Sequence, residues 1–424
     1  MPRVVYLANL FPSPVEPYVA AEIQELRRRG ISVFPCSARR PETELAEDLK
    51  PFVSETVYLR PLQWRLLLRA AWLCVRKFPR VRNLLHRALV RGKEPPLRRL
   101  RALMHTWLGA YFVLLLEGRR IDHVHVHHGY FGSWIAMTAT RLLGVGFSMT
   151  LHGSDLLLHP AYLDLKLKHC QFCVTVSEFN RRYILEHYPE VSPEKIHVHR
   201  LGVKCTSQRA PATRAQKEPS LLVMLAVGRL HAVKDHAFLV RACHQLKSSG
   251  LNFLCLIAGE GPERGSLEKL IHDLNLQSNV RLLGHVPHAQ LEHHYEMASL
   301  AVLTSRSEGI PLALMEAMAR QKVVLAPAIT GIPELVVDGK TGFLYRPGSL
   351  EGFVERVQLV QDIGPTLGSL RQAAREHVLQ RFDWEKNLAA FCDLLIARLG
   401  ASQDCSKSLK ATVRSTLYEN PVLQ

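Results

Sequence analysis

The sequence of 424 residues lacks several features that mark common classes of protein. It contains no run of 18 apolar residues, so no membrane-spanning helix is expected. The longest apolar candidate, residues 102–116, is interrupted by His105 and lies between arginines. The nine cysteines are scattered and odd in number, which favours reduced thiols over a disulfide framework. With an N-terminus that shows no signal-peptide pattern, these absences predict a cytosolic protein.

Three nucleotide-binding signatures are also missing. The loop after the first predicted strand, residues 11–17, contains no glycine, which disfavours a dinucleotide-binding dehydrogenase. The glycine-rich P-loop motif is absent, which argues against a P-loop NTPase. No Asp-x-Asp pair occurs, so a metal-bridged nucleotide-sugar site built on two aspartates is not expected.

Acidic residues are scarce in one segment. The chain has 54 Lys or Arg against 38 Asp or Glu, a formal net charge of +16. Between Arg60 and Arg101 there are thirteen basic residues and the single acid Glu94, a net of +12. Some of the basic residues have the spacing of one side of a helix, with an apolar stripe on another side. The basic set is Arg65, Arg69, Arg76 and Arg80, and the stripe is Trp64, Leu67, Leu68, Ala71, Val75 and Phe78.

This basic segment has two interpretations. A basic amphipathic helix with tryptophans is typical of an element that contacts an anionic membrane surface. Alternatively, the helix packs on the domain core through its apolar stripe and leaves a solvated arginine face. Nucleic acid is disfavoured as a partner because the segment has neither a zinc-finger spacing nor an RNA-binding aromatic motif.

Outside this segment, short apolar runs alternate with helical patterns, which predicts parallel sheets in an α/β fold. The predicted strands are residues 4–10, 31–36, 123–127, 147–151, 172–176 and 196–199, then 221–227, 253–258, 280–283, 300–304 and 323–326. Predicted helices include residues 263–274 and 311–320. Two doubly wound domains would leave a ligand cleft between the carboxyl ends of their strands.

The domain boundaries follow from composition. Residues 1–204 form the predicted N-terminal domain, with a basic helical insertion at about 60–118, and residues 205–220 form a polar linker. Residues 221–383 form the second domain, and a helix over 384–400 is expected to return to the N-terminal domain. The polar tail, 401–424, is expected to be poorly ordered.

The second half contains three candidate phosphate-binding segments. Gly228 permits close backbone approach, and Arg229 and Lys234 can hold a diphosphate, although such a pair alone is usually a solvated loop. A glycine loop, 259–262, follows the next strand and keeps a crevice open. The free amides before the helix at 311–320 make a third anion site.

Two glutamates border this third segment. Glu308 precedes the predicted helix and Glu316 lies two turns into it, so both can point into one cleft. In isolation the pair would be two surface glutamates. The coincidence with the loop, the helix start and the cation pair favours a site.

Two further motifs favour structural roles. His123, His125 and His127 alternate along a strand and share one face, which permits a zinc site. No matching cysteine or aspartate cluster supports zinc, so buried or cleft-side hydrogen bonding is preferred. Cys170-x-x-Cys173 has no second pair and is expected to be two core thiols.

Taken together, Gly228-Arg229 with Lys234, the Gly259-Glu260-Gly261-Pro262 loop and Glu308-x7-Glu316 resemble the donor half of retaining glycosyltransferases of family 4, which have the GT-B fold. The similarity extends through Gly331-Ile332-Pro333-Glu334 to Phe382-x-Trp384. In the first half it covers Phe11-Pro12 with Glu16-Pro17 and Leu151-His152-Gly153-Ser154-Asp155. Nearly the whole chain is covered except the basic insertion and the tail. Within the family, the chain is most similar to exopolysaccharide and colanic-acid biosynthesis enzymes.

The resemblance implies two Rossmann-like domains that face an interdomain cleft, and a role for each matching residue. Arg229 and Lys234 would grip the donor diphosphate with the Gly309 and Ile310 amides, Glu316 would hold the ribose, and Glu308 would bind the transferred sugar. His152 would act on the sugar and the leaving phosphate, and the base would lie near residues 284–287. The full set of implied site residues is His152 and Glu308 as catalytic, Gly228, Arg229, Lys234, Gly259, Gly309, Ile310, Pro311, Leu312 and Glu316 for the donor, and Glu16 and Asp155 on the acceptor side.

Two positions depart from the family pattern. Lys204 stands where an acid often follows Leu-Gly-Val, and the first loop is rich in proline instead of glycine. Both departures leave the acceptor open. Helix capping is the alternative role for Asp155.

The resemblance implies a retaining, metal-independent transferase that needs no cofactor and moves a hexose from a nucleotide-diphosphate sugar to a glycan or lipid-linked saccharide, with a function in polysaccharide biosynthesis. The expected location is the cytoplasm, with the basic segment against the inner face of the membrane. The alternatives are a GT-B phosphorylase or epimerase, or a non-catalytic GT-B scaffold that binds a nucleotide sugar.

Overall fold

Two parallel sheets organise the computed structural model, which describes residues 2–41, 45–90, 94–204 and 221–400. The chain divides into two compact units. Unit 1 comprises Met1–Thr175, Tyr183–His199 and Leu388–Gln424, and unit 2 comprises Val176–Arg182 and Arg200–Asn387. The predicted linker (205–220) and tail (401–424) lie outside the described residues.

Unit 1 contains a seven-stranded parallel sheet in the order β3-β2-β1-β4-β5-β6-β7. The strands are β1 (Arg3–Leu10), β2 (Ser32–Arg39), β3 (Val57–Tyr58), β4 (His123–His127), β5 (Gly146–Leu151), β6 (Phe172–Thr175) and β7 (Ile196–Val198). Its helices are α1 (Pro17–Arg28), α2 (Lys50–Glu55), α3 (Trp64–Arg76), α4 (Phe78–Leu89), α5 (Pro96–Leu115), α6 (Phe131–Leu143), α7 (Ser154–Leu157) and α8 (Leu163–His169), and α9 (Glu178–His187) spans the boundary between the units. Val5, Val124 and Met149 lie in the core of this unit without exposed surface.

Unit 2 contains a six-stranded parallel sheet in the order β10-β9-β8-β11-β12-β13. The strands are β8 (Leu222–Val227), β9 (Phe253–Ala258), β10 (Val280–Gly284), β11 (Leu300–Val302), β12 (Val323–Pro327) and β13 (Phe343–Tyr345). The helices are α10 (His236–Ser248), α11 (Arg264–Asp273), α12 (His288–Met297), α13 (Leu312–Ala319), α14 (Ile332–Leu335), α15 (Leu350–Asp362) and α16 (Gly368–Arg381). Two such units built from parallel strands and crossover helices confirm the predicted α/β class.

The last described helix covers residues 384–400. From Leu388 onward it belongs to unit 1, where the Phe391 ring lies 5.9 Å from that of His125 and 4.9 Å from that of His199. The helix therefore contributes an aromatic contact to the sheet of unit 1.

The basic helical insertion differs from its prediction. The single helix expected through Arg65 and Arg80 ends at Arg76, and α4 begins at Phe78 with Pro79 in its first turn. A proline is tolerated in a first turn but not in a helix interior, so Arg80 belongs to a second helix. Its guanidinium donates to the carbonyls of Arg141 and Leu142, at the negative C-terminal end of α6.

The α3 helix packs on its neighbours, but mainly through a face other than the predicted apolar stripe, to which only Leu67 of the stripe contributes. Ala70 is buried, and Leu66, Leu67 and Leu73 pack around it against Tyr111 of α5. Trp64, Leu68, Val75 and Phe78 of the stripe are exposed instead. No helix in the described ranges is both long and apolar enough to cross a membrane.

Candidate functional site

The loops that follow β8, β9 and β10 are held together by their backbones at the carboxyl end of the sheet in unit 2. Gly228 N donates to Ala258 O at 3.0 Å, Leu230 N to Glu260 O at 2.9 Å, and Gly259 N to Gly284 O at 2.8 Å. A Cβ atom at position 259 would lie 1.9 Å from Gly228 O, and the φ angle of Gly259 is +156°. Only glycine fits there, so Gly228 and Gly259 are neighbours through backbone contact.

Lys234 and Glu308 come from the loops after the adjacent strands β8 and β11. Lys234 Nζ lies 2.5 Å from Glu308 Oε1, and Ser305 Oγ donates to the same oxygen at 2.6 Å. Both charged side chains are partly exposed, with 20% and 13% of their surface accessible. The pair is therefore formed before a ligand binds and is open to one.

Asp235 fixes the position of this lysine. Its side chain caps α10 by accepting from Phe238 N, and its other carboxylate oxygen accepts from Arg306 Nε at 2.7 Å. Thr304 Oγ1 donates to the Lys234 carbonyl at 3.0 Å. These contacts tie the loop after β8 to the loop after β11.

The start of α13 presents unpaired backbone amides. The helix begins at Leu312, one residue after the predicted start, with Pro311 at the N-cap. For the amides of Gly309 and Ile310, the described part of the chain offers no acceptor. A Cβ atom at position 331 would lie 2.1 Å from Gly309 O, so Gly331 lets a neighbouring loop support this turn. Free amides at a positive helix end are suited to an anion.

Glu316 lies in the second turn of α13 and binds two residues of α12. Its carboxylate accepts from His288 Nε2 and from Tyr295 OH, each at 3.0 Å. The hydrogen bond to Glu316 raises the pKa of His288, and burial together with Glu316 raises that of Tyr295 well above its usual range. Glu308 and Glu316 therefore have separate partners, although both lie at the carboxyl end of the sheet.

The remaining predicted donor residues surround these groups. Arg229 is exposed beside Gly228 and forms no ion pair with any acid in the described ranges. Gly284, at the edge of the predicted base-binding segment, has a φ angle of +77°. Glu260 and Arg264 form an ion pair close to it.

In unit 1, His152 follows β5 at the carboxyl end of the sheet, and Asp155 organises the surrounding backbone. The Asp155 carboxylate accepts from the amides of Gly129 at 2.8 Å, His152 at 3.0 Å and Gly153 at 2.8 Å. Asp155 has no exposed surface. It acts in this structure as a clamp between two loops and not as the N-cap of α7.

Glu16 joins the same cluster. Its Oε1 accepts from His128 Nε2 at 2.7 Å, and the His128 ring lies 4.5 Å from that of His152. The Tyr18 ring stacks on His152 at 5.0 Å. The three predicted residues Glu16, His152 and Asp155 are thus brought together.

A buried hydrogen-bonded chain leads from His152 into the core. His152 Nε2 lies 3.2 Å from His127 Nδ1, and His127 Nε2 lies 3.0 Å from Glu22 Oε2. Tyr6 OH donates to the same carboxylate oxygen at 2.5 Å. Burial and the neighbouring imidazoles lower the pKa of His152 well below its ordinary value, which favours the neutral ring.

The other strand histidines bind hydroxyl groups. His123 Nε2 and His125 Nδ1 lie 2.7 and 2.8 Å from Ser148 Oγ, and His125 Nε2 lies 3.1 Å from Thr150 Oγ1. The buried hydrogen bonding expected for them is confirmed. No group of three or more metal-binding side chains suited to a metal ion is found among the described residues.

The two thiols of the Cys-x-x-Cys motif are buried as expected. Burial raises the pKa of Cys170 to about 12 and that of Cys173 well above its usual value. Both are therefore neutral core side chains.

Sequence reasoning missed a buried lysine beside the loop that follows β4. Lys166 Nζ donates to the carbonyls of Gly129 at 2.6 Å, Tyr130 at 3.1 Å and Ala161 at 2.9 Å. Burial lowers its pKa to about 7, opposed by Asp155. Sequence reasoning matched Glu22 to the family pattern without giving it a role, and it missed His288 and Tyr295, because their contacts join distant segments of the chain.

Each half of the chain matches the model of a protein family. Residues 15–207 match the model described as Glycosyltransferase Family 4, and residues 211–377 match Glycosyl transferases group 1. A putative colanic acid biosynthesis glycosyltransferase of Salmonella typhimurium is 35% identical over 198 residues, which are 45% of this chain and 48% of that protein. The chain thus spans about half the length of this curated relative.

Solved structures share the fold. A sucrose-phosphate synthase of Thermosynechococcus elongatus superposes with a TM-score of 0.71 at 17% identity, covering 95% of this chain and 100% of that one. An Anabaena protein crystallised with UDP and glucose gives a TM-score of 0.65 at 16% identity, covering 94% and 100%.

Proposed function

Because the chain belongs to the glycosyltransferases, with a family 4 region followed by a group 1 region, we propose that it transfers a hexose from a nucleotide-diphosphate sugar to a glycan or lipid-linked saccharide. The observation that carries the proposal is the open anion site in unit 2. There Lys234 is paired with Glu308, and the Gly309 and Ile310 amides have no acceptor within the described ranges. The colanic-acid relative supports a place in polysaccharide biosynthesis.

The donor diphosphate would bind between Arg229, Lys234 and the start of α13. Two cations and two amides offset the charge that develops on the leaving diphosphate. Gly228 and Gly259 leave the backbone accessible beside them, since neither carries a side chain. Pro311 and Leu312 form the start of the helix that follows the Gly309 and Ile310 amides.

The two glutamates would bind the transferred sugar and the ribose. Glu308 would accept from hydroxyls of the transferred hexose, while Lys234 is shared with the phosphate. Glu316 would accept from both ribose hydroxyls, which a carboxylate does well, after displacing His288. The base would lie along residues 284–287.

His152 would act from unit 1. Its neutral ring can hydrogen-bond a sugar hydroxyl, and Glu16 lies near it on the acceptor side through His128. Asp155 would serve by holding the His152 backbone in place. This role for His152 rests on the family resemblance.

The reaction would retain the anomeric configuration. The C1–O bond to the diphosphate breaks, and the acceptor hydroxyl oxygen bonds to C1 from the same face. The hydroxyl proton passes to the departing phosphate oxygen, so no covalent sugar–protein intermediate forms. We propose that the reaction proceeds without a metal, and equal turnover with EDTA and with Mg²⁺ would test that point.

The test is turnover with UDP-, GDP- and ADP-hexoses and an oligosaccharide or lipid-linked acceptor. Release of nucleoside diphosphate with formation of an α-linked product from an α-linked donor is expected. Glu308→Gln should abolish most turnover, whereas Glu351→Gln, at an exposed position of the same unit, should not. Epimerised donor, phosphate-dependent cleavage, or binding without turnover would replace the transferase proposal by the corresponding alternative.

We also propose a cytoplasmic enzyme held peripherally at the inner face of the membrane through the segment between Arg60 and Arg101. Flotation with vesicles that contain anionic lipid tests this contact. Replacing exposed arginines of the insertion by glutamine should reduce flotation about tenfold or more, and high salt should do the same. The tested arginines are Arg65, Arg76 and Arg82, and the control set in unit 2 is Arg241, Lys269 and Arg281. Equal flotation of both sets would contradict the contact.

A further inference from the structure

The α3 helix keeps its largest apolar side chains in solvent. Trp64, Leu68, Trp72 and Val75 are each between 63% and 67% exposed. Their spacing places them on one face of the helix, opposite the face that packs around Ala70. Burial on folding therefore does not explain these residues.

The α5 helix shows the same property. Leu97, Leu100, Met104 and Trp107 fall on one face and are between 38% and 63% exposed. Exposed apolar side chains also stand at the two ends of α4, at Phe78 and Leu89. So many exposed apolar side chains in one region are unusual on a surface that contacts only solvent.

An apolar cavity lies between these helices. It has a volume of about 250 Å³ and is lined by Ala71, Cys74, Leu85, Leu103, Thr106 and Trp107. The volume equals that of about eight water molecules at ~30 Å³ each, enough for a short length of hydrocarbon chain. Ala71 lies three residues after Leu68 and four before Val75, on the exposed face of α3, and Trp107 itself belongs to the exposed face of α5, so the cavity is next to both faces.

The polar atoms of the lining are already used. Thr106 Oγ1 donates to Ala102 O and accepts from Trp134 Nε1, and Trp107 Nε1 donates to Leu67 O. Burial raises the pKa of the Cys74 thiol, so this group stays neutral. The cavity therefore suits hydrocarbon and offers nothing to a polar ligand.

Positive charge surrounds the apolar faces. The Arg65 guanidinium lies 5.4 Å from the centre of the Trp64 ring, and Arg76 and Arg82 are exposed without an acidic partner among the described residues. The acid Glu94 is engaged by Arg87. Tryptophan and leucine beside solvated arginines match the boundary between anionic headgroups and acyl chains.

We propose that the cavity between α3, α4 and α5 takes part of an acyl chain of an anionic membrane lipid, while the exposed faces of α3 and α5 insert at the headgroup boundary. This inference rests on the membrane contact proposed above and deepens it, because it adds hydrocarbon insertion to charge attraction. The occupant is a bilayer lipid because apolar and basic surfaces coincide, which a second copy of an equally basic surface would not satisfy.

The experiment uses the full chain with vesicles of phosphatidylglycerol and phosphatidylcholine brominated along their acyl chains. Bromine quenches tryptophan that enters the hydrocarbon region. Emission from Trp64 and Trp72 should be quenched, and the double variant Trp64→Phe, Trp72→Phe should lose most of this quenching. Trp134, only 2% exposed, remains in both proteins as an internal control.

Further variants distinguish hydrocarbon insertion from electrostatic attraction to the membrane. Leu68→Gln with Val75→Gln should weaken vesicle binding at least tenfold at high salt, and Met297→Gln, an exposed apolar position in unit 2, should not. In the Trp64→Phe, Trp72→Phe background, where Trp107 is the remaining tryptophan that lines the cavity, Ala71→Phe should fill the cavity and reduce the residual quenching. The substituted positions are exposed, so thermal unfolding is expected to stay unchanged.

The outcomes are distinct. Salt-sensitive binding without acyl-chain quenching would overturn insertion and leave the electrostatic membrane contact intact. Dimer formation that Leu68→Gln abolishes, without vesicle binding, would assign the face to a second copy and overturn the proposal. Absence of any vesicle binding would overturn both membrane proposals, while turnover in solution would still decide the transferase proposal separately.

Discussion

The polar groups at the carboxyl ends of the two sheets are organised in opposite ways. In unit 1 they bind one another: Glu22 accepts from Tyr6 and is bonded to His127, and Asp155 accepts from three amides. In unit 2 the amides of Gly309 and Ile310 have no acceptor in the described chain. The two buried carboxylates of unit 1 are thus bonded within the protein, whereas these two amides of unit 2 are open to a ligand.

This difference predicts which substitutions lower the stability of the fold and which lower turnover. A saturated buried network fixes side chains before a ligand arrives, and its loss destabilises the fold. Open loops with fixed charges contribute little to the fold and act when a charged group arrives. Substitutions in the two sites should therefore differ in what they change.

The largest effect is expected for Lys234→Met in unit 2. Loss of the cation beside the diphosphate should lower kcat/KM by about 100- to 1000-fold. The free energy of unfolding should change by less than about 1 kcal/mol, because both Lys234 and Glu308 reach solvent. Steady-state kinetics and chemical denaturation measure the two quantities, with Lys269→Met as the control. If a loss of stability accounted for the lost activity, the contrast drawn between the two units would be wrong.

The reverse pattern is expected for Lys166→Met in unit 1. Three buried carbonyls would lose their donor, so the free energy of unfolding should fall by about 2–4 kcal/mol. Lys168→Met, at an exposed position of the same helix, should have little effect in the same denaturation experiment. Unchanged stability of Lys166→Met would show that the network does not support unit 1.

A smaller effect on turnover is expected from the chain behind His152. With Glu22 accepting from His127 Nε2, His127 Nδ1 is the acceptor for His152 Nε2–H, and His152 Nδ1 is left for a substrate hydroxyl. His127→Leu should lower kcat about 10- to 100-fold with little change in donor KM, since His127 positions His152 and does not touch the donor. His127→Asn, whose amide oxygen can replace Nδ1, should restore part of the loss.

The pH profile distinguishes this role from a structural one. Glu22→Gln removes a negative charge, which should lower the pKa of His152 further and move the acid limb of kcat/KM to lower pH. NMR of ¹⁵N-labelled histidine should report the Nε2–H tautomer of His152 without any need for turnover. The control is His123→Asn, because His123 is on the same strand as His127 but is bonded to Ser148 of β5. An Nδ1–H tautomer would refute the assignment.

The smallest effect concerns His288. Its pKa is raised by the hydrogen bond to Glu316, so that contact is complete below the ordinary histidine pKa of about 6.5 and is lost as pH rises through the raised value. If a ribose displaces His288, nucleotide binding releases a proton and affinity should increase a fewfold as pH rises. Calorimetry with UDP and GDP should show this slope, and His288→Ala should remove it. The exposed His272 serves as control, and a slope that survives His288→Ala would assign the proton elsewhere.

Much of the fold was predictable because strand patterns are local. The predicted strands at 123–127 and 253–258 match β4 and β9 without any shift. The strands β3 and β13 were not predicted, and β3, with two residues, is too short to show an alternation. The break between α3 and α4 was missed although Pro79 marks it, since the arginine spacing continued across it.

The candidate site was predictable only in part. Lys234 and Glu308 were identified from their loops and given roles by the family resemblance, but their direct contact joins residues 74 positions apart. Glu22 and His127 are 105 positions apart, and neither has a local pattern that points to the other. The outward orientation of the α3 stripe was not predictable either, because amphipathicity alone does not say which apolar face packs.

The close approach at Gly259 and Gly331 limits how this protein can diversify. Any side chain at these positions meets a backbone carbonyl, at 1.9 Å from Gly228 O and 2.1 Å from Gly309 O. A mutagenesis library aimed at a new donor preference should therefore leave both glycines fixed and vary positions 285–287 instead. Under the proposed function, a change of nucleotide preference is therefore restricted to side chains that border the crevice, because the loops that form it tolerate no substitution where they cross.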